Sequence, residues 1–318
     1  MAERVAVVGV GPIGGVLSAH LAKAGVEVTV VDVIPEIVEK VRADGITVTG
    51  PAAEKTHGEF TTGVAGAVSD FAEAPEAEVV FVCTKTTVVE AVASSLKKAW
   101  RSGALLVSFQ NGIDPEEVLA EVAGRDATLR VVVNYAGNAR APGVYAMNWF
   151  SPPNYVGALS EAGRPGAERV AKMLNDARLT STVVDDIKKY AYEKTALNAT
   201  LCPICALTGM TMGEAMADDG ARELVRGILE EARAVGEAVG WSFEHTFDDW
   251  MDYLSKGGPH KPSMAVDMDA GRRTEIYFMN GKICEHGRRV GVPTPYNDSM
   301  YWTVLARERK TAGRTRGD

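Results

Sequence analysis

Residues 192–205, YEKTALNATLCPIC, carry three kinds of reactive side chain in one short run. Lys194 and Asn198 are four apart, so in a helix they share a face, with Cys202 one turn further on. A lysine and an amide on one face can bind a carbonyl oxygen and protonate it. The same spacing also suits an ordinary surface helix. Cys202 and Cys205 form a Cys-x-x-Cys pair, which raises metal or redox chemistry. A structural zinc needs four ligands. The other two cysteines, Cys83 and Cys284, stand alone, and there is no second Cys-x-x-Cys and no His-x-x-x-His. A redox pair should open a helix, where the dipole lowers a thiol pKa. This pair instead follows a helical pattern and straddles Pro203, which is expected to kink or end it. No metal site is expected. Cys205 is read as a packing thiol and Cys202 as a residue that shapes a pocket.

A second constellation lies at the N-terminus. Gly9, Gly11 and Gly14 form G-x-G-x-x-G after a valine-rich run and before a helical pattern. Such glycines serve a tight turn, the approach of a pyrophosphate, and close helix–strand packing. The amides of the helix start then face the phosphates, and Pro12 is tolerated where no helical partner exists for its nitrogen. Gly9, Gly11, Pro12, Ile13 and Gly14 are therefore candidate cofactor contacts. Asp32 closes the next apolar run at the distance expected of a ribose-binding acid. Its charge repels a 2′-phosphate, and no Lys or Arg follows until Lys40, so NAD(H) is favoured over NADP(H). The other reading of Asp32 is a cap for a helix starting near Pro35.

Two polar groups follow later apolar runs: Lys85 after VVFVCT, and Asn111-Gly112 after LLVSFQ. Beyond the carboxyl ends of parallel strands they are placed to meet a ligand. Asn111 can bond a nicotinamide or a substrate, and Gly112 permits close backbone approach to a ring. Taken alone, Lys85 also suits a solvated loop and Asn111 a turn. Asp114 and Pro115 read as the cap and first turn of a helix. Further on, residues 260–281, HKPSMAVDMDAGRRTEIYFMNG, gather Ser263, Asp267, Glu275 and Asn280-Gly281.

The elements needed to position these groups are legible. Apolar runs at residues 4–10, 27–32, 78–83 and 104–109 alternate with helical patterns, which suits a parallel sheet covered on both faces. Residues 131–158 read as the far strands of the same sheet, including a hairpin. After about residue 185 strand signals stop. Helices are expected over 186–201, 219–239, 263–270 and 275–288, and after Pro295. In the second of these, Val225, Ile228, Leu229, Ala232 and Val239 should form one buried face. The expectation is an α/β fold: a doubly wound parallel sheet over 1–185, then an all-helical domain over 186–318. The chain has 318 residues, a net charge of −8 and 24 % charged residues. That charge disfavours nucleic acid and anionic membrane as partners. The basic run from Arg307 to the end reads as a frayed tail. No stretch reaches the ~20 apolar residues of a membrane helix, and no export signal is read, so the cytoplasm is the expected location. The helical domain has a face that can support a homodimer.

Across nearly its whole length the sequence resembles the ketopantoate reductase (2-dehydropantoate 2-reductase) family. The segments that carry the likeness are VVGVGPIGG, VCTKTT, SFQNGI, EKTALNA, KPSMAVDMDAGRRTEI and NGKICEHGRRVGVPTP. The resemblance implies a Rossmann domain joined to a helical domain, with the active site in the cleft between them. It implies NAD(P)H-dependent reduction of the C2 carbonyl of a 2-oxo acid, above all ketopantoate to pantoate. By position, Lys194 resembles the general acid and Glu275 its partner. Asn198 and Ser263 resemble substrate contacts, Asn111 a contact to nicotinamide and substrate, and Lys85 a cation on the cofactor side. Three positions depart from the family pattern. Asp32 stands where members that use NADPH commonly carry a basic residue. Cys202 and His260 stand where asparagine is common, at the hydroxyl-bearing end of the substrate. Two other enzyme readings are a related dehydrogenase for a different 2-oxo or 2-hydroxy acid and a 3-hydroxy acid dehydrogenase, although SFQNGI lacks the serine–glycine–glycine segment of the latter. A non-catalytic dinucleotide sensor would need the glycine loop and Asp32, but not both Lys194 and Glu275.

Overall fold

The computed structural model describes residues 2–74 and 76–311. The chain divides into two compact units, Met1–Asn111 with Pro115–Ile187, and Gly112–Asp114 with Lys188–Asp318.

The first unit runs β1 (Arg4–Val8), α1 (Pro12–Lys23), β2 (Glu27–Val31), α2 (Pro35–Asp44), β3 (Ile46–Thr49), β4 (Phe60–Thr62), β5 (Gly66–Val68), β6 (Val79–Val82), α3 (Val89–Ala99), β7 (Leu105–Ser108), α4 (Pro115–Ala123), β8 (Thr128–Val132), β9 (Tyr135–Ala141), β10 (Val144–Phe150), β11 (Asn154–Ala158), α5 (Arg164–Asp176) and β12 (Ser181–Val183). Eight strands form one sheet in the order β12-β11-β8-β7-β6-β1-β2-β5. All its pairings are parallel except β11 with β8. Val5–Val8 and Val79–Val82 are buried residue after residue, as expected of strands covered on both faces. This is the mixed, mainly parallel Rossmann-type sheet that the alternation predicts, and strand ends differ from expectation by one or two residues.

The far strands depart from the prediction. The hairpin β9–β10 forms, but it belongs to a second sheet, ordered β4-β3-β10-β9, and only β11 returns to the first. β10 pairs in parallel with β3, Val144 opposite Thr47. Helix α1 lies against strands of both sheets, so its residues Gly14–Leu21 are buried without interruption. Tyr145 of β10 packs where a Cβ on Gly15 would come within 2.2 Å of its ring. Alternation marks a strand but says nothing about which sheet it joins.

Among its described residues the second unit has helices and no strand: α6 (Ile187–Thr208), α7 (Met212–Ala217), α8 (Asp219–Val239), α9 (Phe247–Ser255), α10 (Ser263–Asp269), α11 (Asn280–Val290) and α12 (Pro295–Thr311). Helix α8 buries Val225, Ile228, Leu229 and Ala232 as predicted. Val235 completes the face, whereas Val239, in the last turn, is exposed. Asp218 caps its start and Gly240, left-handed at φ 108°, ends it. The short helices α7 and α9 were not predicted. Each begins with a capping box, Thr211 with Glu214 and Thr246 with Asp249.

Three further expectations change. Pro203 does not end α6, which continues to Thr208. A proline there deprives the Ala199 carbonyl of its helical donor, and Asn280 Nδ2 replaces it at 3.0 Å. The helix predicted from Glu275 instead begins as a single 3-10 turn, Ile276–Phe278, and breaks at Met279 (φ −112°, ψ −100°) before α11. The basic C-terminal run starts inside α12, which extends to Thr311, and its remainder lies outside the described residues. Among the described residues no helix is long and apolar enough to cross a membrane.

Candidate active site

In the first unit the glycine loop forms a cradle between β1 and α1, and each glycine has its own reason. Gly9 has φ +93°, and a Cβ there would lie 2.7 Å from Thr84 Cγ2. A Cβ on Gly14 would come within 1.9 Å of the Gly9 carbonyl oxygen and 2.9 Å of Cys83 Cβ. Helix and strand meet there without room for a side chain. A Cβ on Gly11 would meet nothing within 4 Å. The space outside Gly11 is open, the amides of the first helical turn lack helical partners, and no side chain caps the helix. These residues fit a dinucleotide pyrophosphate.

The loop is held from three directions. Asp32, at the end of β2, accepts from Val10 N–H at 2.7 Å and from Ile34 N–H at 3.0 Å. Tyr135 O–H donates to the Ile13 carbonyl at 2.8 Å, and Tyr145 O–H to that of Val10. Burial and the charge of Asp32 push the Tyr145 phenol up to about 12, so it stays a donor. The N-cap of α2 is Ile34, without a side-chain capping bond. Asp32 therefore braces the loop rather than capping that helix. Lys40 pairs with Asp44 at 2.5 Å. Gln110, 4 % exposed at the end of β7, donates to the Thr84 carbonyl at 2.9 Å and so fixes the residue that packs on Gly9. Lys85 is exposed at the start of the turn Thr86–Val88, and Asn111 is half-buried.

The second unit carries the lysine helix. No residue of α6 from Ile187 to Leu207 is exposed, so the surface-helix reading fails. Tyr192 and Glu193 have structural partners: Tyr192 O–H donates to the Ala232 carbonyl at 2.7 Å, and Glu193 Oε1 accepts from Trp250 Nε1 at 2.9 Å. Lys194, Asn198 and Cys202 follow one another at helical spacing, the first two half-buried and Cys202 7 % exposed. Burial lifts the Cys202 thiol to about 12, and the neighbouring Cys205 and the Glu275 carboxylate add to the shift. Glu275, which precedes the turn Ile276–Phe278, thus acts electrostatically on the stripe that Lys194 and Asn198 begin. Burial, with Glu214, likewise lifts Cys205 to about 11. All four cysteines are free thiols, and the described residues contain no cluster of three or more His, Cys, Asp or Glu that could hold a metal. His260 and Ser263 are exposed around the start of α10. Gly112, predicted to admit a ring, is buried with φ +91°, and a Cβ there would lie 2.8 Å from Phe278 Cβ. Asp114, read as a helix cap, turns its carboxylate to His286 Nε2 at 2.9 Å.

Two family models account for most of the sequence. Ketopantoate reductase PanE/ApbA matches residues 5–160, and ketopantoate reductase PanE/ApbA C terminal matches residues 186–308. The chain belongs to the ketopantoate reductase family. Within it, a protein of Archaeoglobus fulgidus named 2-dehydropantoate 2-reductase is 27 % identical over 300 residues, 94 % of this chain and 95 % of the relative. The crystal structure of 2-dehydropantoate 2-reductase from Geobacter metallireducens matches at a TM-score of 0.85 and 25 % identity, covering 96 % and 99 % of the two chains. D-mandelate dehydrogenase, solved with NADH and anilino(oxo)acetate, shares the fold at a TM-score of 0.84 and 20 % identity, covering 97 % and 99 %. The ketopantoate reductase models cover both the glycine cradle and the lysine helix. Tyr135, Tyr145 and Gln110, which brace the cradle, gave no signal in the sequence, because their partners lie far along the chain.

Proposed function

We propose that this member of the family reduces the C2 carbonyl of a 2-oxo acid with NADH, and that ketopantoate is its foremost substrate. The observation that carries the reading is the Lys194–Asn198–Cys202 stripe on a helix without an exposed face, with Glu275 acting on it. When bound, the nicotinamide supplies a hydride. Lys194 then stabilises the charge that builds on the carbonyl oxygen and donates the proton that completes the hydroxyl. Glu275 is its partner at the C2 oxygen. Asn198 and Ser263 hold the substrate, Ser263 through its carboxylate, while Asn111 bridges substrate and cofactor. Lys85 provides a cation on the cofactor side.

The preference for NADH rests on Asp32. Two backbone amides fix its carboxylate, so it cannot swing away from a 2′-phosphate. Lys40 is engaged by Asp44. NADH should exceed NADPH at least about tenfold in kcat/KM, since about 1.4 kcal/mol suffices. A second reading draws support from Cys202, a buried thiol that is a weak donor and weak acceptor. Such a group gives a substrate hydroxyl little, and a 2-oxo acid with a less polar end would fit as well.

One experiment tests both. NADH and NADPH oxidation is followed with ketopantoate, with trimethylpyruvate, which lacks only the terminal hydroxyl, and with other 2-oxo acids. Turnover with none of them would end the proposal, and equal use of the two cofactors would end the NADH preference. Cys202→Asn should improve ketopantoate relative to trimethylpyruvate if the second reading holds.

A further inference from the structure

The residues after Asn111 are fastened within the second unit by contacts that the proposed reaction does not itself use. Gly112–Asp114 belong to that unit although the chain on either side belongs to the first. Ile113 N–H donates to the Phe278 carbonyl at 2.8 Å, and Gly112 lies so close to Phe278 that no Cβ fits between them. Asp114 has φ 64°. A glycine would take this left-handed conformation without penalty, whereas an aspartate holds it at some cost. Strain retained at a non-glycine position calls for a use of the side chain.

The carboxylate has that use. Oδ2 accepts from His286 Nε2 at 2.9 Å, and Oδ1 lies 3.6 Å from Lys188 Nζ. Side-chain exposures of 12 % for Asp114 and 11 % for His286 separate this pair from the solvated ion pairs of the surface. Burial alone would raise the Asp114 carboxyl. The bond from His286 and the charges of Lys188, His286 and Lys282 outweigh burial and hold it at about 2. The imidazole is held in turn: Trp241 lies 6.5 Å away at 29°, and Tyr192 6.2 Å away. Lys188 stands in the first turn of α6, the helix of Lys194. Phe278 closes the turn that Glu275 begins.

We infer that Asp114, His286 and Lys188 form a positioning device that fixes the turn following Asn111 on the two segments carrying Lys194 and Glu275. None of the three is assigned a contact with substrate or cofactor. They act through the backbone of Gly112 and Ile113. The inference rests on the proposed 2-oxo acid reductase reading for its effect on turnover, but not for the clamp itself.

The test uses the full-length protein with Asp114→Gly, which relieves the backbone and removes the carboxylate. Asp114→Asn is its companion, because it tolerates the left-handed conformation and keeps an acceptor for His286. Amide exchange of Ile113, followed by NMR without substrate, reads the clamp. Kinetics with the best 2-oxo acid, and NADH binding by fluorescence, read its effect, at a temperature where circular dichroism shows each variant folded. Asp114→Gly should speed Ile113 exchange and lower kcat/KM for the oxo acid about 10- to 100-fold. NADH affinity should stay unchanged, and Asp114→Asn should recover most of the loss. Unchanged Ile113 exchange would overturn the clamp. Faster exchange with wild-type kcat/KM would overturn the positioning role. A wild-type protein inactive with every 2-oxo acid would instead defeat the functional reading, leaving the exchange measurement to decide the clamp.

Discussion

Lys194 takes its meaning from its surroundings rather than from its type. A lysine on a solvated helix is an ordinary surface charge. This one is half-buried on a helix with no exposed residue from Ile187 to Leu207. Removing its ammonium should therefore cost function more than stability. Lys194→Ala is expected to lose roughly 10²–10⁴ in kcat, as for the loss of a general acid. NADH binding, measured by fluorescence titration, should stay near wild type. Near-normal turnover would return Lys194 to a structural role, and lost NADH binding would mean the role is misassigned. At this scale the sequence revealed a good deal. The four-residue spacing of Lys194, Asn198 and Cys202 is a local property of a helix and can be read directly. The use of Asp114 could not be read, because His286 lies 172 residues away and an Asp-Pro pair looks like a helix start wherever it occurs.

Pro203 shows how one element depends on another. The Ala199 carbonyl, left without a donor by the proline, takes one from Asn280 Nδ2, which also donates to Asn297 Oδ1 at 3.0 Å. Asn280 is fully buried. Asn280→Ala should therefore strand a buried carbonyl and destabilise the protein by about 1–3 kcal/mol. Pro203→Ala restores an N–H at the right place, so the double variant should lose less than the sum of the single changes. Strict additivity in urea unfolding would show that the amide does not serve the proline. Elements set by their own residues were legible: the valine-rich strands β1 and β6, and the apolar face of α8 through Val225, Ile228, Leu229 and Ala232. Those set by partners were not. The hairpin β9–β10 looked like more of the first sheet because its docking on α1 depends on Gly15 making room for Tyr145. Pro203 looked like a stop because its compensation lies in α11. The turn after Glu275 looked helical because nothing nearby announces the break at Met279.

For the molecule as a whole, a buried imidazole contributes to the acid response, and His57 beside it, lowered by its own burial, acts in the same direction. His20 of α1 is fully buried, with Nδ1 2.8 Å from the Val16 carbonyl and Nε2 2.9 Å from Thr56 Oγ1. Burial, aided by the nearby His57 and opposed by the Val16 bond, lowers its pKa from 6.5 to about 4. Above the unfolded value both states are neutral and stability is unaffected. As pH falls from 6.5 towards 4 the unfolded chain takes up a proton that the folded one refuses, so stability declines, by up to about 3 kcal/mol. Carboxylates held low, such as Asp114, weaken the fold only at lower pH. Thermal midpoints between pH 8 and 4.5 should fall through this window. His20→Gln should flatten the decline, and an unchanged slope would place its origin elsewhere. Tyr135 and Tyr145 carry a different consequence, one that concerns time. The phenols that hold the carbonyls of Ile13 and Val10 come from 122 and 135 residues further along the chain. Loops closed over such distances form late. The glycine cradle is thus synthesised well before the two phenols that hold it, and a nascent chain halted before β9 would carry the glycine motif without either of them.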